Sequence, residues 1–182
     1  MPEYSYGIWR NWEFSLQLPT ATTPGKSRLE GLRTELQYVA PHDGDDGWYW
    51  GFNVELTRST RLAKRSSTNI EFTPIIGYRI DRWHFTANPG FEKALSGATR
   101  PTGFQPAIKA AYRAFDKNHF GIEYYVDAGP LRRPLPRDEQ SRVLYLAWDG
   151  KLGKSDINVG VGHGITAASD RWVVKMVFEV AF

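Results

Sequence analysis

The chain lacks cysteine altogether, and no apolar run in its 182 residues approaches the roughly 18 to 20 needed for a membrane-crossing helix. The first absence removes disulfides as a source of stability and fits an exported protein as well as a cytosolic one. The second excludes helical membrane spans. Excess charge is missing too: a net +3 with a pI near 9.1 is too little to carry nucleic-acid binding. Long uninterrupted segments are scarce, because 11 Pro and 17 Gly are spread along the chain, which argues for one β-rich domain over residues 1–182. Metal motifs are absent as well. The four histidines, His42, His84, His119 and His163, show no HExxH or comparable spacing, and the acidic turn HDGDDG lacks the alternating ligands and distal Glu of a calcium loop. No metal and no cofactor is expected.

What the chain does contain is alternation. In the last twelve residues, RWVVKMVFEVAF, Trp172, Val174, Met176, Phe178, Val180 and Phe182 recur every second position, the period of a strand with one apolar face. The same period recurs upstream: Trp12–Leu18, Leu32–Ala40, Trp50–Leu56, Ile70–Ile80, Trp83–Phe91, Phe104–Tyr112, Phe120–Val126, Leu144–Leu152 and Ile157–Val161. With the terminal segment this makes ten strands, and Tyr4–Ile8 is a possible eleventh. Connections alternate short (Arg10, Asp81, Asp116, Gly153, and the moderately short Pro41–Gly47) with long (Ala21, Ser59, Ala94, Pro130, Thr166), and TATTPGKS reads as a polar loop.

Alternation alone fits a soluble sandwich as well as a barrel in lipid. Strand length and rhythm separate them. Segments of about ten residues approach the membrane requirement of about 9 to 11, whereas globular strands average about five or six, and short turns alternating with long loops are the rhythm of membrane barrels. Trp12, Trp48, Trp50 and Trp83 fall beside short turns and Trp172 beside a long loop, as interfacial aromatics do. The expected fold is therefore all-β: an antiparallel up-and-down transmembrane β-barrel with about eleven strands present. Pro74, Pro89 and Pro106 inside strands depart from this pattern, and local bulges are expected there.

The terminal strand resembles the C-terminal assembly signal of bacterial outer-membrane barrels, carried by Val174, Met176, Phe178, Val180 and Phe182. Across nearly the whole chain, GIWRNWEFSLQLP, EYYVDAGPLRRPLP and QSRVLYLAWDGKLGKSDINVGVG resemble a family of largely uncharacterised proteobacterial outer-membrane proteins. That resemblance implies an outer-membrane location, with membrane lipid, lipopolysaccharide and the barrel-assembly machinery as partners. It also implies an upstream signal peptide, which MPEYSYGIWRNW does not provide, and a native total of twelve strands.

Parity assigns Glu13, Arg33, Glu55, Glu71, Arg79, Lys109, Arg113, Glu123, Asp127, Lys175 and Glu179 to the lumen. Around the Asp116 turn, Arg113 is expected near Glu123 or Gly121, and Lys109 near Asp127 or Tyr125. The expected function is a narrow pore for small polar solutes. The alternatives are a structural or lipopolysaccharide-interacting barrel with a plugged lumen, and a soluble ligand-binding β-barrel. Arg58, Arg61, Lys64 and Arg65 in one long loop, with Arg132, Arg133 and Arg137 in another, are candidates for lipopolysaccharide phosphates. No catalytic residue is assigned; Ser169-Asp170 beside His163 suggests a lipid hydrolase only weakly, since a loop serine next to Asp is more often turn chemistry.

Overall fold

The computed structural model describes residues 1–182 apart from 1–2, 24–25, 30, 43, 61–65, 98–99, 154 and 181–182, and every regular element among the described residues is a strand. In chain order these are β1 (Glu3–Trp9), β2 (Trp12–Gln17), β3 (Thr20–Thr23), β4 (Lys26–Leu29), β5 (Gly31–Val39), β6 (Gly47–Thr60), β7 (Ser66–Ile80), β8 (Trp83–Ser96), β9 (Gly103–Phe115), β10 (Asn118–Asp127), β11 (Ser141–Leu152), β12 (Ser155–Gly164) and β13 (Trp172–Val180). Eleven of them form one antiparallel meander, ordered β1-β2-β5-β6-β7-β8-β9-β10-β11-β12-β13. Each alternating segment seen in the sequence is a strand of this sheet, Tyr4–Ile8 included. TATTPGKS is the exception: its described residues belong to the separate hairpin β3–β4, whose threonines pair without any apolar alternation to reveal them.

All the short connections lie at one end of the sheet and all the long ones at the other, as a meander requires. Three two-residue turns place a non-glycine residue in the left-handed region: Asn11 (φ 65°), Asp81 (φ 54°) and Asp116 (φ 46°). Asn and Asp tolerate that conformation better than other side chains, which is why these residues reverse the chain here. Asp46 of the acidic turn accepts a hydrogen bond from the Asp81 amide (2.8 Å), tying two neighbouring turns together.

The sheet is one layer, yet its two faces differ sharply. On one face Trp48, Leu146 and Val174 are 71–72% exposed, joined by Tyr6, Phe14, Trp50, Phe72, Ile76, Phe85, Ile108, Ile122, Leu144, Trp172 and Met176. The opposite face carries Ser5, Ser15, Gln17, Glu123, Ala111 and Tyr145, all buried. Burial of one face without a second layer means that the sheet curls. Side chains reach across it accordingly. Lys175 of β13 bonds Glu123 of β10, although three strand spacings in a flat sheet would separate their backbones by about 14 Å. The edges β1 and β13 come alongside each other, with Cα atoms within 8 Å, but share no ladder among the described residues, which therefore do not close the sheet by hydrogen bonds.

Small residues allow the tight curl. A Cβ on Gly77 would lie 2.0 Å from the Tyr49 ring, and one on Gly162 would lie 2.5 Å from Tyr145, so each tyrosine lies flat over a glycine of the neighbouring strand. The Tyr49 hydroxyl then shares a hydrogen bond with the Thr86 hydroxyl of β8 (2.7 Å).

The prolines correct the expectation of bulges. The only register shift between β7 and β8 lies at Thr68/Asn69, away from them. Pairing stops after Phe72↔Phe91 and resumes in step at Ile76↔Ala87, so Pro74 and Pro89 meet at one rung, where neither has an N–H to give. Pro89 in turn lies opposite Pro106. The three form a row across β7, β8 and β9.

Candidate functional site

The concave face gathers the charged side chains into two clusters. The first is a ladder of carboxylates. Glu35, Glu55, Glu71 and Glu92 stand opposite one another across β5, β6, β7 and β8, in a single row. Like charges placed directly opposite are unfavourable, and the described ion pairs give this row one cation, Arg33, 3.0 Å from Glu55. Amides and hydroxyls supply further contacts: Asn53 donates to Glu35, Thr57 to Glu55 (2.6 Å), Thr73 to Glu71 (2.9 Å), and Asn69 (2.5 Å) and Gln105 (2.9 Å) to Glu92. A cavity of about 320 Å3 opens over the row, lined by Arg33, Glu55, Asn69, Glu71, Glu92 and Gln105 among others.

The second cluster is balanced. Glu123, 2% exposed, lies between Lys109 (3.1 Å) and Lys175, and also accepts from Tyr125 (2.9 Å). Lys109 also pairs with Asp149 (2.7 Å), which accepts from Asn158 (2.7 Å). Two ammonium groups and two carboxylates from β9, β10, β11 and β13 thus compensate each other. The Lys175 ammonium also sits 5.2 Å and 5.4 Å from the Tyr125 and Tyr145 ring centres, a cation–π arrangement.

Ten of the eleven residues assigned to the lumen by parity have described side chains, and all ten lie on the concave face. Glu13 lies opposite Gly7 and Gln37, and Asp127, at the end of β10, accepts from the Gly129 amide (3.0 Å). Glu179 is placed only by its backbone, opposite Asp156. The expected partners around the Asp116 turn need correction. Lys109 stands opposite Glu123, and Arg113 stands opposite His119 while donating to the Asp81 carbonyl (3.3 Å). Two steps account for this: the turn is the two residues Asp116-Lys117, with Phe115 opposite Asn118, in place of the three read from the sequence, and a register shift between Asn118 and His119 moves the pairing one step further. Parity also marked Glu35, Glu92 and Asp149 as inward, but they were not assigned to the site; only register reveals that they share rows with the others.

Other candidates fall as follows. Val174 and Met176 are exposed on the apolar face; Phe178 and Val180 are placed by backbone alone, and Phe182 lies outside the described residues. Arg58 is exposed at the long-connection end of β6, and Arg132, Arg133 and Arg137 are exposed in the loop between β10 and β11, at that same end; Arg61, Lys64 and Arg65 lie outside the described residues. Ser169 is engaged structurally, its hydroxyl sharing hydrogen bonds with Thr166 (2.6 Å) and the Arg142 backbone (2.7 and 2.9 Å). His163 packs on Trp172 with ring centres 4.8 Å apart, on the apolar face.

Fold and inner face together define an all-β, up-and-down antiparallel sheet with an apolar exterior and a charged interior. No protein-family model, curated protein or solved structure matches the chain.

Proposed function

We propose that the sheet closes into a β-barrel spanning a bacterial outer membrane, and that its charged interior forms a narrow path for small polar solutes. The observation that carries this is the inversion of the faces. A water-soluble sheet of one layer would not turn Leu146, Val174, Met176, Ile122 and Trp48 to solvent while burying Glu123, Gln17 and Ser15. Lipid on the outside accounts for both. Strand lengths agree, since β6 to β12 run from 10 to 15 residues against the roughly 9 to 11 that a tilted strand needs to cross. Aromatics add support: Trp12, Tyr38 and Trp50, then Trp48 with Tyr78, then Trp83 with Tyr112 make ring contacts in three groups near the short turns, where a membrane interface would lie.

By this topology the long connections are external, and exposed Arg58, Arg132, Arg133 and Arg137 are placed to fork onto lipopolysaccharide phosphates. The terminal strand, with Val174 and Met176 outward, is the segment for the assembly machinery to engage. A second reading has one specific observation in its favour: the near-complete burial of Glu123 within the balanced cluster suits a barrel closed at mid-height. Conductance in planar bilayers decides between the two, with discrete channels expected for the path and none for the closed barrel.

Membrane insertion is tested by paired cysteines. Ile122→Cys should resist a water-soluble thiol reagent in intact outer membranes and react once they are dissolved in detergent, whereas Glu123→Cys should be insensitive to lipid removal. Equal labelling of Ile122→Cys with and without lipid, or a chain that stays monodisperse without detergent, would overturn the membrane assignment.

A further inference from the structure

The half of the inner face near the short turns carries positive charge that no described residue neutralises. Lys109 and Lys175 are matched by Glu123 and Asp149. Arg79 and Arg113 make no ion pair among the described residues. Two histidines stand with them. Arg79 of β7 is directly opposite His84 of β8, Arg113 of β9 is directly opposite His119 of β10, and the two imidazoles meet at 4.7 Å between ring centres. Ala111 and Gly121, at the rungs between the histidine strands, contribute almost no side chain, which leaves room for the rings to approach.

Two polar atoms at this place are buried without a partner, Arg79 Nε and His119 Nε2. The Arg79 guanidinium is held over the Tyr49 ring (4.7 Å), so its position is fixed by packing while its Nε–H goes unused. Asp149, the carboxylate opposite His119, is already engaged by Lys109 and Asn158. Two guanidinium groups with no paired carboxylate repel a metal cation, even beside two imidazoles; with the N–H groups that Arg79, Arg113 and the imidazoles can still donate, the row suits a tetrahedral oxyanion, which accepts several N–H bonds at once. An approach exists as well. A cavity of about 550 Å3 at the short-turn rim is lined by Arg113, Lys117 and Lys151 with Asp116 and Asn118, a mostly cationic mouth that would concentrate anions beside the cluster.

We propose that Arg79, His84, Arg113 and His119 form a binding site for a phosphate-class oxyanion, entered from the short-turn end. The site needs only the inner face of the sheet. A failure to bind phosphate would leave the membrane assignment intact, and a water-soluble protein that bound phosphate would leave the site intact.

The test is a titration of the folded full chain with inorganic phosphate at fixed pH and ionic strength, with chloride as the balancing anion, following the imidazole resonances of all four histidines by NMR. The expected result is a saturable shift of His84 and His119, half-complete at or below about 10 mM phosphate, with His42 and His163 unmoved. Arg79→Gln should raise that half-saturation at least about tenfold, and Arg113→Gln serves if the first variant does not fold. Shifts that stay linear through the titration, that appear equally at all four histidines, or whose half-saturation is the same in the folded variants would overturn the site and leave Arg79 and Arg113 as merely hydrated.

Discussion

The two charged clusters of the inner face are built from the same residue types and arranged on opposite principles. Across β5 to β8, four glutamates share one rung with Arg33 as their described cation; across β9 to β13, Lys109, Lys175, Glu123 and Asp149 cancel. The balanced cluster is what a desolvated interior demands, because each charge there has a partner to replace water. A carboxylate ladder survives only where water or mobile ions reach it, and the cavity above Glu55, Glu71 and Glu92 provides that access. One half of the interior therefore ties strands together across the curl, and the other keeps a half-buried negative wall beside a cavity.

The largest effect should come from breaking the balanced half. Glu123→Ala strands the Lys175 ammonium and leaves Lys109 with Asp149 alone, and should cost about 3 kcal/mol, read as a lower urea midpoint for unfolding from lipid or micelles. A loss below about 1 kcal/mol would mean that the cluster is hydrated like an exposed pair. The ladder should answer with the opposite sign. Glu71→Gln keeps an acceptor for Thr73 while removing repulsion from Glu55 and Glu92, and should raise the midpoint by the equivalent of about 0.2 to 1 kcal/mol. Destabilisation by that change would remove the contrast between the two halves.

In a conducting barrel the same ladder sets preference among ions. Glu71→Gln should shift the reversal potential in a salt gradient toward anions, and Arg113→Ala should shift it toward cations; two shifts of the same sign would place one of these residues off the path. Salt gives the smallest and most discriminating change. Raising ionic strength from about 0.01 to 1 M shortens the Debye length from about 30 to about 3 Å, which should erase most of the Glu71→Gln gain and leave most of the Glu123→Ala loss.

Period-two alternation revealed ten strands of the main sheet and marked Tyr4–Ile8 only as a possible eleventh, because a strand with one apolar face writes its geometry directly into spacing and a short one writes little of it. The short turns were legible through Asn11, Asp81 and Asp116, whose side chains suit the left-handed backbone they adopt. Hairpin β3–β4 left no such trace, having no apolar face. Register was the other blind spot. Parity tells which face Glu35, Glu55, Glu71 and Glu92 occupy, but a common rung depends on three loop lengths at once, and a turn one residue shorter than read, with the shift at Asn118/His119, was enough to change the partners of Lys109 and Arg113. Cross-sheet contacts such as Lys175 to Glu123 follow from curvature, which sequence spacing does not encode.

The row formed by Pro74, Pro89 and Pro106 has a mechanical meaning. It runs across the strands, so it acts as a crease perpendicular to the chain direction, with intact pairing on both sides of the gap between β7 and β8. Because proline has no N–H, the rung where Pro74 meets Pro89 has no amide hydrogen to leave unpaired. A sheet scored in this way can flex at mid-height without slipping register, so β7 to β9 become a compliant panel in an otherwise stiff wall. That panel lies between the glutamate ladder and the arginine–histidine cluster, so bending there changes the distance between the negative and positive ends of the interior while every strand keeps its neighbours.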